Sequence, residues 1–266
     1  MGTNWLDRGL KAVALLAAVM AVLLVTLSPS MPLKRNADAR SPQAALETQR
    51  QAAAARTDGY AYLLRSDEHR YPARWCAGSI TYYLDTTELA GAELDVPAEI
   101  QRWNDVFNEW SEQSEGRYTF NYGGIRELRT KPDGQLDIDN VESGSIGITY
   151  VHGGFDSPNG YQAAAVQGRT AGNGGLQVVS YGGQEATAMV GDKGFVMIDV
   201  DDAARLSADG LRRTLYQHES GHALGLGHVN ENSAIMNGTL SSSRLDVGAG
   251  DKAGLLSLAQ MPCETK

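Results

Sequence analysis

The residues with the clearest chemical potential are three histidines that lie close together near the C-terminal end of the sequence. Of the five histidines in this 266-residue chain, His218, His222 and His228 fall in one short run, and Glu219 follows the first of them. On a helix, residues four positions apart lie one turn above one another, so His218 and His222 point the same way. Neutral imidazoles are good zinc ligands, and catalytic zinc sites use three protein ligands. The spacing therefore predicts a zinc site.

The third ligand requires a break in the helix. A straight helix cannot bring His228 to the point that His218 and His222 share. Gly225 lies between the second and third histidines, and glycine turns the chain back at low steric cost because it has no Cβ. We therefore predict that the helix ends near Gly225 and that His228 completes a three-histidine site with one position open for water.

Glu219 is the candidate catalytic base. It is offset from His218 by about a third of a helical turn, so it can reach a zinc-bound water without binding the metal. Zinc lowers the pKa of such a water to roughly 7, and a carboxylate can then accept its proton. The predicted chemistry is metal-assisted hydrolysis of an amide, in which Glu219 passes the proton to the leaving amine. An HExxH run alone also occurs by chance on surface helices, but Gly225 and His228 at this spacing favour the functional interpretation.

The surrounding pattern predicts the elements that position these residues. Leu211 and Leu215 extend the stripe of His218 and His222 at helical spacing, so this helix packs one face inward. A second amphipathic helix begins at Pro97, and a third covers about 251–259. Runs of β-branched and aromatic residues predict strands at 79–84, 118–122, 146–151 and 195–199, with edge strands and loops in the Gly-rich region 153–194. This order predicts an α+β domain with a mixed, twisted sheet.

The run HExxHxxGxxH is the signature of the metzincin zinc metallopeptidases, and within them the chain resembles the matrixin family in its bacterial type. The segment 233–236, which ends at Met236, is similar to the methionine turn of these enzymes. Arg74 and Trp75 before the first strand, and 251–255 at the start of the last helix, are also similar to matrixin catalytic domains. The resemblance covers about 71–266 and is most specific at 218–236.

The resemblance implies a zinc-dependent endopeptidase that acts on proteins or peptides. It implies that the three histidines are the zinc ligands, that Glu219 is the base and that Met236 forms the floor of the site. The loop 237–250 would form the wall of the pocket that accepts the side chain after the scissile bond. Two alternatives stay open: a zinc hydrolase that cleaves a cell-wall peptide or another non-protein amide, and a zinc-binding module without turnover.

Several positions depart from the matrixin pattern. Val229 stands where matrixins usually have serine, and no cysteine-switch segment precedes the domain. A second, histidine-rich zinc site is not expected, because only His69 and His152 remain outside the catalytic motif. No tyrosine follows Met236, so no tyrosine switch is expected. Calcium is an open alternative at Asp199, Asp201 and Asp202, although a solvated acidic turn is the interpretation that the sequence favours.

The N-terminal region predicts export from the cytoplasm. Residues 12–27 are uncharged and almost entirely apolar, and Arg8 and Lys11 precede them. We assign 1–35 to a signal peptide or an uncleaved membrane anchor, 36–70 to a low-complexity linker and 71–266 to the catalytic domain. Both N-terminal alternatives place the catalytic domain outside the cytoplasm, secreted or anchored by a single membrane pass, and we expect a monomer.

Charge and cysteine content add two further expectations. The formal net charge of −9 argues against binding to nucleic acid, because phosphate binding requires a basic face. Cys76 and Cys263 are the only two cysteines, and they lie near the two ends of the predicted domain. In an oxidising compartment they could form a disulfide, and two unrelated buried thiols are the alternative.

Overall fold

The computed structural model describes residues 59–65, 69–131, 136–152, 171–181, 188–206, 210–241 and 246–263. The predicted signal peptide or anchor lies outside these residues, as does most of the predicted linker. Among the helices within the described ranges, none is long and apolar enough to span a membrane.

The centre of the domain is a five-stranded mixed sheet. Its strands are β2 (Gly78–Leu84), β3 (Tyr118–Ile125), β4 (Ser145–Val151), β5 (Gly172–Tyr181) and β6 (Ala188–Asp199), arranged in the order β3-β2-β4-β6-β5. The neighbours β3, β2, β4 and β6 run parallel, whereas β5 pairs antiparallel with β6 at one edge. Every residue of β4 is buried, as expected for a central strand that is covered on both faces.

Two very short strands form a second, separate sheet. They are β1 (Ala61–Tyr62) and β7 (Leu226–Gly227), which pair antiparallel. The first lies within the segment that the sequence assigns to the linker, and the second lies between the second and third histidines of the motif.

Within the described ranges, four α-helices accompany the sheets: α1 (Val96–Gln113), α2 (Val200–Arg205), α3 (Leu211–Ala223) and α4 (Ala249–Gln260). Asp95 caps α1 by accepting a hydrogen bond from the backbone N–H of Ala98 at 2.8 Å, and Pro97 occupies the first turn. The apolar stripe of α1 is buried against the sheet and α3, and Trp103 stacks on Tyr216 of α3 with ring centroids 4.3 Å apart.

The predicted α+β architecture is confirmed. It differs from the prediction in the lengths of two strands and in the short helix α2, which replaces the acidic turn expected at 199–202. The sequence ended the second strand at Gly123, but β3 continues to Ile125, which pairs with Leu84. Gly123 faces the ring of Tyr83, where an added Cβ would lie 2.5 Å from the ring Cε1, so glycine is here a packing requirement. The strand predicted from residue 195 begins earlier, at Ala188, because its first half pairs with β5.

Cys76 and Cys263 form a disulfide, with Cα atoms 5.3 Å apart. This Cα separation lies within the usual range for such a bond. It joins the segment before β2 to the segment after α4, across a sequence separation of 187. The side chain of Arg74 lies beside it and donates to the carbonyl of Pro262. The two ends of the described domain are therefore linked covalently as well as by packing.

Candidate metal centre

The imidazoles of the three motif histidines meet at one point. The Nε2 atom of His218 lies 3.0 Å from that of His228, and the Nε2 atom of His222 lies 3.1 Å from each of the others. In the described part of the chain, these three residues form the only group of at least three potential metal-ligating side chains. His218 and His222 project from α3, and His228 reaches the same point from beyond β7.

The other ring nitrogen of two histidines is held by a backbone carbonyl. The Nδ1 atom of His218 donates to the carbonyl of Ile235, and that of His222 donates to the carbonyl of Leu226, both at 2.8 Å. A proton on Nδ1 leaves the Nε2 lone pair free to bind a metal, and such contacts also fix the ring orientation. The carbonyls of the chain therefore select the tautomer that a metal site requires.

This donor set fits zinc. Tetrahedral coordination with Zn–N distances of 2.0–2.1 Å places nitrogen ligands about 3.3 Å apart, close to the observed separations of 3.0–3.1 Å. Three converging lone pairs repel one another unless a cation lies between them. Burial, together with the neighbouring His218 and His228, lowers the pKa of His222 well below its ordinary value. His222 is therefore neutral at physiological pH, as a metal ligand must be.

A glycine turn delivers the third histidine. The helix α3 ends at Ala223, and Gly225 follows with φ +102°, a left-handed conformation that favours glycine. Its N–H donates to the carbonyl of His222 at 3.0 Å. An added Cβ on Gly225 would also lie 2.8 Å from the carbonyl oxygen of Ala73. Conformation and space both require glycine at this position.

Glu219 lies on α3 beside the histidine cluster and is not a member of it. The residue is only 5% exposed, and burial raises the pKa of its carboxyl group to about 8, partly offset by a hydrogen bond from the N–H of Gly174. The glycines of β5 allow this close approach, since an added Cβ on Gly172 would lie 2.6 Å from the Cγ atom of Glu219. The carboxyl group is thus fixed between α3 and the edge strand.

The turn at Met236 lies next to α3 and to the chain that follows His228. The sulfur of Met236 packs against Gly221, where an added Cβ would lie 2.4 Å from it. The carbonyl of Met236 accepts a hydrogen bond from the N–H of Val229 at 3.0 Å. Asp251 in the first turn of α4 accepts from the N–H groups of Ile235 at 2.7 Å and Met236 at 3.2 Å. Asp251 therefore anchors the turn whose Ile235 carbonyl orients His218.

The sequence alone does not indicate this role of Asp251, which it places only at the start of the last helix. Two tryptophans also hold α3 in place without having been assigned to the site. The indole N–H of Trp110 donates to the Ser220 hydroxyl, and that of Trp75 donates to the Ala223 carbonyl, both at 2.8 Å. A buried indole needs a hydrogen-bond acceptor, but the sequence does not show which one.

The loop after Met236 is tied to both α1 and α3 at its far end. The N–H of Val247 donates to Glu109 at 3.3 Å, and Arg213 forms an ion pair with the same carboxylate at 2.5 Å. Burial is the main cause that raises the pKa of Glu109. Residues 242–245 of the predicted pocket wall lie outside the described residues.

The acidic turn before α2 has local partners. Asp199 caps α2 by accepting hydrogen bonds from the N–H groups of Asp201 and Asp202. Asp201 contacts the Nδ1 atom of His152 at 3.0 Å, and Glu88 lies 3.4 Å from the other ring nitrogen. Calcium binding at these residues stays an untested alternative.

The matrixin family model matches residues 74–259, a region that contains the five-stranded sheet, the histidine cluster and the Met236 turn. The chain belongs to the matrixin family. Matrixins are zinc metalloendopeptidases, so this matrixin is a zinc-dependent hydrolase of peptide bonds in proteins or peptides. The family assignment made from the motif is confirmed, as is the metzincin-like fold. Among curated proteins, none matches the chain.

Proposed function

We propose that this matrixin cleaves proteins outside the cytoplasm, with zinc held by His218, His222 and His228 and with Glu219 as the general base. The observation that carries the proposal is the convergence of the three Nε2 atoms to within 3.1 Å, beside a buried carboxyl group that is not part of the cluster. A cluster built only to bind metal has no need of this additional carboxyl group.

The side chains of the site divide the chemistry between them. Zinc bound by the histidines would polarise the scissile carbonyl and make a nearby water molecule more acidic. Glu219 accepts the proton of the attacking water and delivers it to the nitrogen of the leaving amine. Burial raises the pKa of this carboxyl group in the metal-free site, and a bound cation would favour the ionised form that accepts the proton. The hydrogen bond from Gly174 holds the carboxylate in place.

The edge strand β5 supports a peptide as the substrate. It pairs with β6 on one side, and an edge strand can bind an extended peptide by main-chain hydrogen bonds. Gly172 and Gly174 of this strand contact Glu219. A peptide aligned on β5 would therefore have a backbone amide next to the base.

The disulfide supports action outside the cytoplasm. Bonds such as Cys76–Cys263 form and persist in oxidising compartments. The basic and then apolar N-terminal sequence favours export for an independent reason. We therefore propose that the catalytic domain is secreted or anchored to the membrane by residues 1–35, and that it acts as a monomer.

Removal and return of the metal test the proposed function. We expect the full-length chain to bind about one zinc per chain and to hydrolyse casein. A chelator should abolish the hydrolysis, and one equivalent of zinc should restore it, because the histidines supply the only described metal-ligating cluster. The measurement is zinc content by elemental analysis together with casein cleavage on the same samples.

The control separates a peptidase from a metal-binding module. Magnesium added to the chelated protein should not restore cleavage, since an imidazole set does not suit this hard cation. Casein cleavage that persists after the zinc is gone would contradict the proposal. Stoichiometric zinc without cleavage of casein or of a mixed peptide library would instead favour a binding module or a hydrolase of non-protein amides.

A further inference from the structure

We propose that residues 59–65, here called the N-terminal strap, position the turn between the second and third histidines and thereby strengthen zinc binding. The proposal rests on the zinc site described above. The strap precedes the region that the family model matches, which begins at residue 74. The strap therefore lies outside the matched region. Its contacts, however, reach the turn between the second and third metal ligands.

The strap pairs directly with the turn that leads to His228. Ala61 lies opposite Gly227, and Tyr62 lies opposite Leu226, in an antiparallel pair. The N–H of Leu63 donates to the carbonyl of Gly225 at 2.8 Å. An added Cβ on Gly227 would lie 2.7 Å from the carbonyl oxygen of Tyr62, so this glycine leaves the space that the strap occupies. The turn therefore offers the strap both hydrogen-bonding groups and the space in which to pack.

One residue of this turn contacts the strap and a metal ligand at once. Leu226 pairs with Tyr62 of the strap, and its carbonyl accepts the Nδ1 hydrogen bond of His222 at 2.8 Å. A shift of the turn would therefore move the acceptor that orients His222. It would also move His228, which follows Gly227 in the chain. Contacts that orient the ligands affect metal affinity about 10- to 100-fold in other metal sites.

The other side of the strap rests on α4. Gly250, Gly254 and Ser257 follow one another at i, i+4 and i+7, so they share one face of this helix. The backbone of Gly59 packs onto Gly250, and an added Cβ on Gly254 would lie 2.8 Å from the Cβ atom of Tyr60. The hydroxyl groups of Tyr62 and Ser257 are hydrogen-bonded at 2.8 Å. The strap is thereby anchored to the helix whose Asp251 also holds the Met236 turn.

Through the strap and α4, these contacts connect the turn at 225–227 with the Met236 turn, the two turns that hold the metal ligands in place. The strap connects α4 to the turn at 225–227, while α4 itself supports the turn that orients His218. A site whose ligands are held in place before the metal arrives binds more tightly, because less order must be imposed on binding. We therefore expect that losing the strap contacts weakens zinc binding by a larger free energy than it lowers the free energy of unfolding of the metal-free domain.

The test measures the zinc Kd of full-length variants by competition with a chromophoric chelator. Leu63→Pro removes the N–H that donates to Gly225, and we expect it to raise the zinc Kd at least tenfold. Tyr62→Phe and Ser257→Ala each remove the hydrogen bond between the strap and α4, and each should raise the zinc Kd about threefold. The double variant should bind zinc no more weakly than Tyr62→Phe alone, because Ser257→Ala removes only the hydrogen bond that Tyr62→Phe already removes.

A matched control is Ser79→Ala, which removes a side-chain hydrogen bond to Asn121 elsewhere in the domain, between β2 and β3. It should leave the zinc Kd within about twofold of the wild type. If Leu63→Pro does not fold cooperatively, the Tyr62 and Ser257 variants decide the result. Unchanged zinc Kd values in these variants, with only a lower Tm of the metal-free chain, would show a merely structural role and overturn the proposal. Failure of the wild type to bind zinc would instead overturn the proposed function, and the strap proposal with it.

Discussion

Replacing Glu219 by alanine is expected to lower kcat/KM about 10²–10⁴-fold, the usual contribution of a general base. Zinc binding should persist, because the three Nε2 atoms converge without Glu219. Loss of its charge should not destabilise the metal-free chain, since burial raises the pKa of Glu219 to about 8. A carboxyl group whose pKa is raised in the folded state destabilises the fold when it ionises. Its removal therefore takes away no stabilising charge interaction at neutral pH.

The measurement is peptide hydrolysis and zinc content on the same preparation, beside Glu219→Gln. The glutamine variant keeps the shape of the side chain and the contact with Gly174 but cannot accept the proton, so its activity should fall as far as that of the alanine variant. Normal hydrolysis by either variant with zinc bound would show that another group is the base. Loss of zinc from both would show that Glu219 supports the metal and not the proton transfer.

Replacing Glu99 by alanine is expected to lower the free energy of unfolding by about 3–5 kcal/mol, the usual cost of removing one partner of a buried ion pair. Glu99 is 1% exposed and binds Arg212 of α3 at 2.5 Å. Its other oxygen accepts hydrogen bonds from the hydroxyl groups of Tyr216 at 2.6 Å and Tyr150 at 3.1 Å. Without Glu99, a buried guanidinium and two buried hydroxyl groups lose their shared acceptor.

Urea denaturation of the disulfide-intact chain, followed by circular dichroism, measures this effect. Glu99→Gln keeps an acceptor without the charge and should lie between the wild type and the alanine variant. Glu112→Ala, on the exposed face of the same helix, is the matched control and should change the free energy of unfolding by less than about 0.5 kcal/mol. A loss below about 1 kcal/mol for Glu99→Ala would mean that the buried pair contributes little net stability.

The parts of this matrixin that could be predicted from its sequence are those whose signal is local. The helical stripe of α3, the glycine after it and the third histidine lie within one short run, and their spacing alone predicts the cluster. The strands and α1 also follow from periodicity within a few residues. Their bounds differ from the prediction mainly where pairing with a distant strand extends them, as at the start of β6.

The remaining features depend on contacts between distant parts of the chain. In the sequence, Glu99 is one of several polar residues of an amphipathic helix, and nothing near it indicates Arg212, 113 positions later. The contact of Asp251 with the Met236 turn was equally unpredictable, because an acidic residue in a first helical turn usually interacts with its own helix. The strap carries the weakest signal of all. Its strand β1 contains only two residues, and its glycine partners on α4 resemble ordinary small residues of a helix.

X-ray absorption at the zinc edge identifies the atoms bound to the metal in the intact protein, and so tests whether the three histidines are its ligands. We expect about three imidazole nitrogens at 2.0–2.1 Å with one further oxygen ligand and no sulfur. In the His222→Ala variant the imidazole signal should fall, or zinc should be absent. A spectrum with sulfur near 2.3 Å, or one left unchanged by His222→Ala, would contradict the assignment of the three histidines as the zinc ligands.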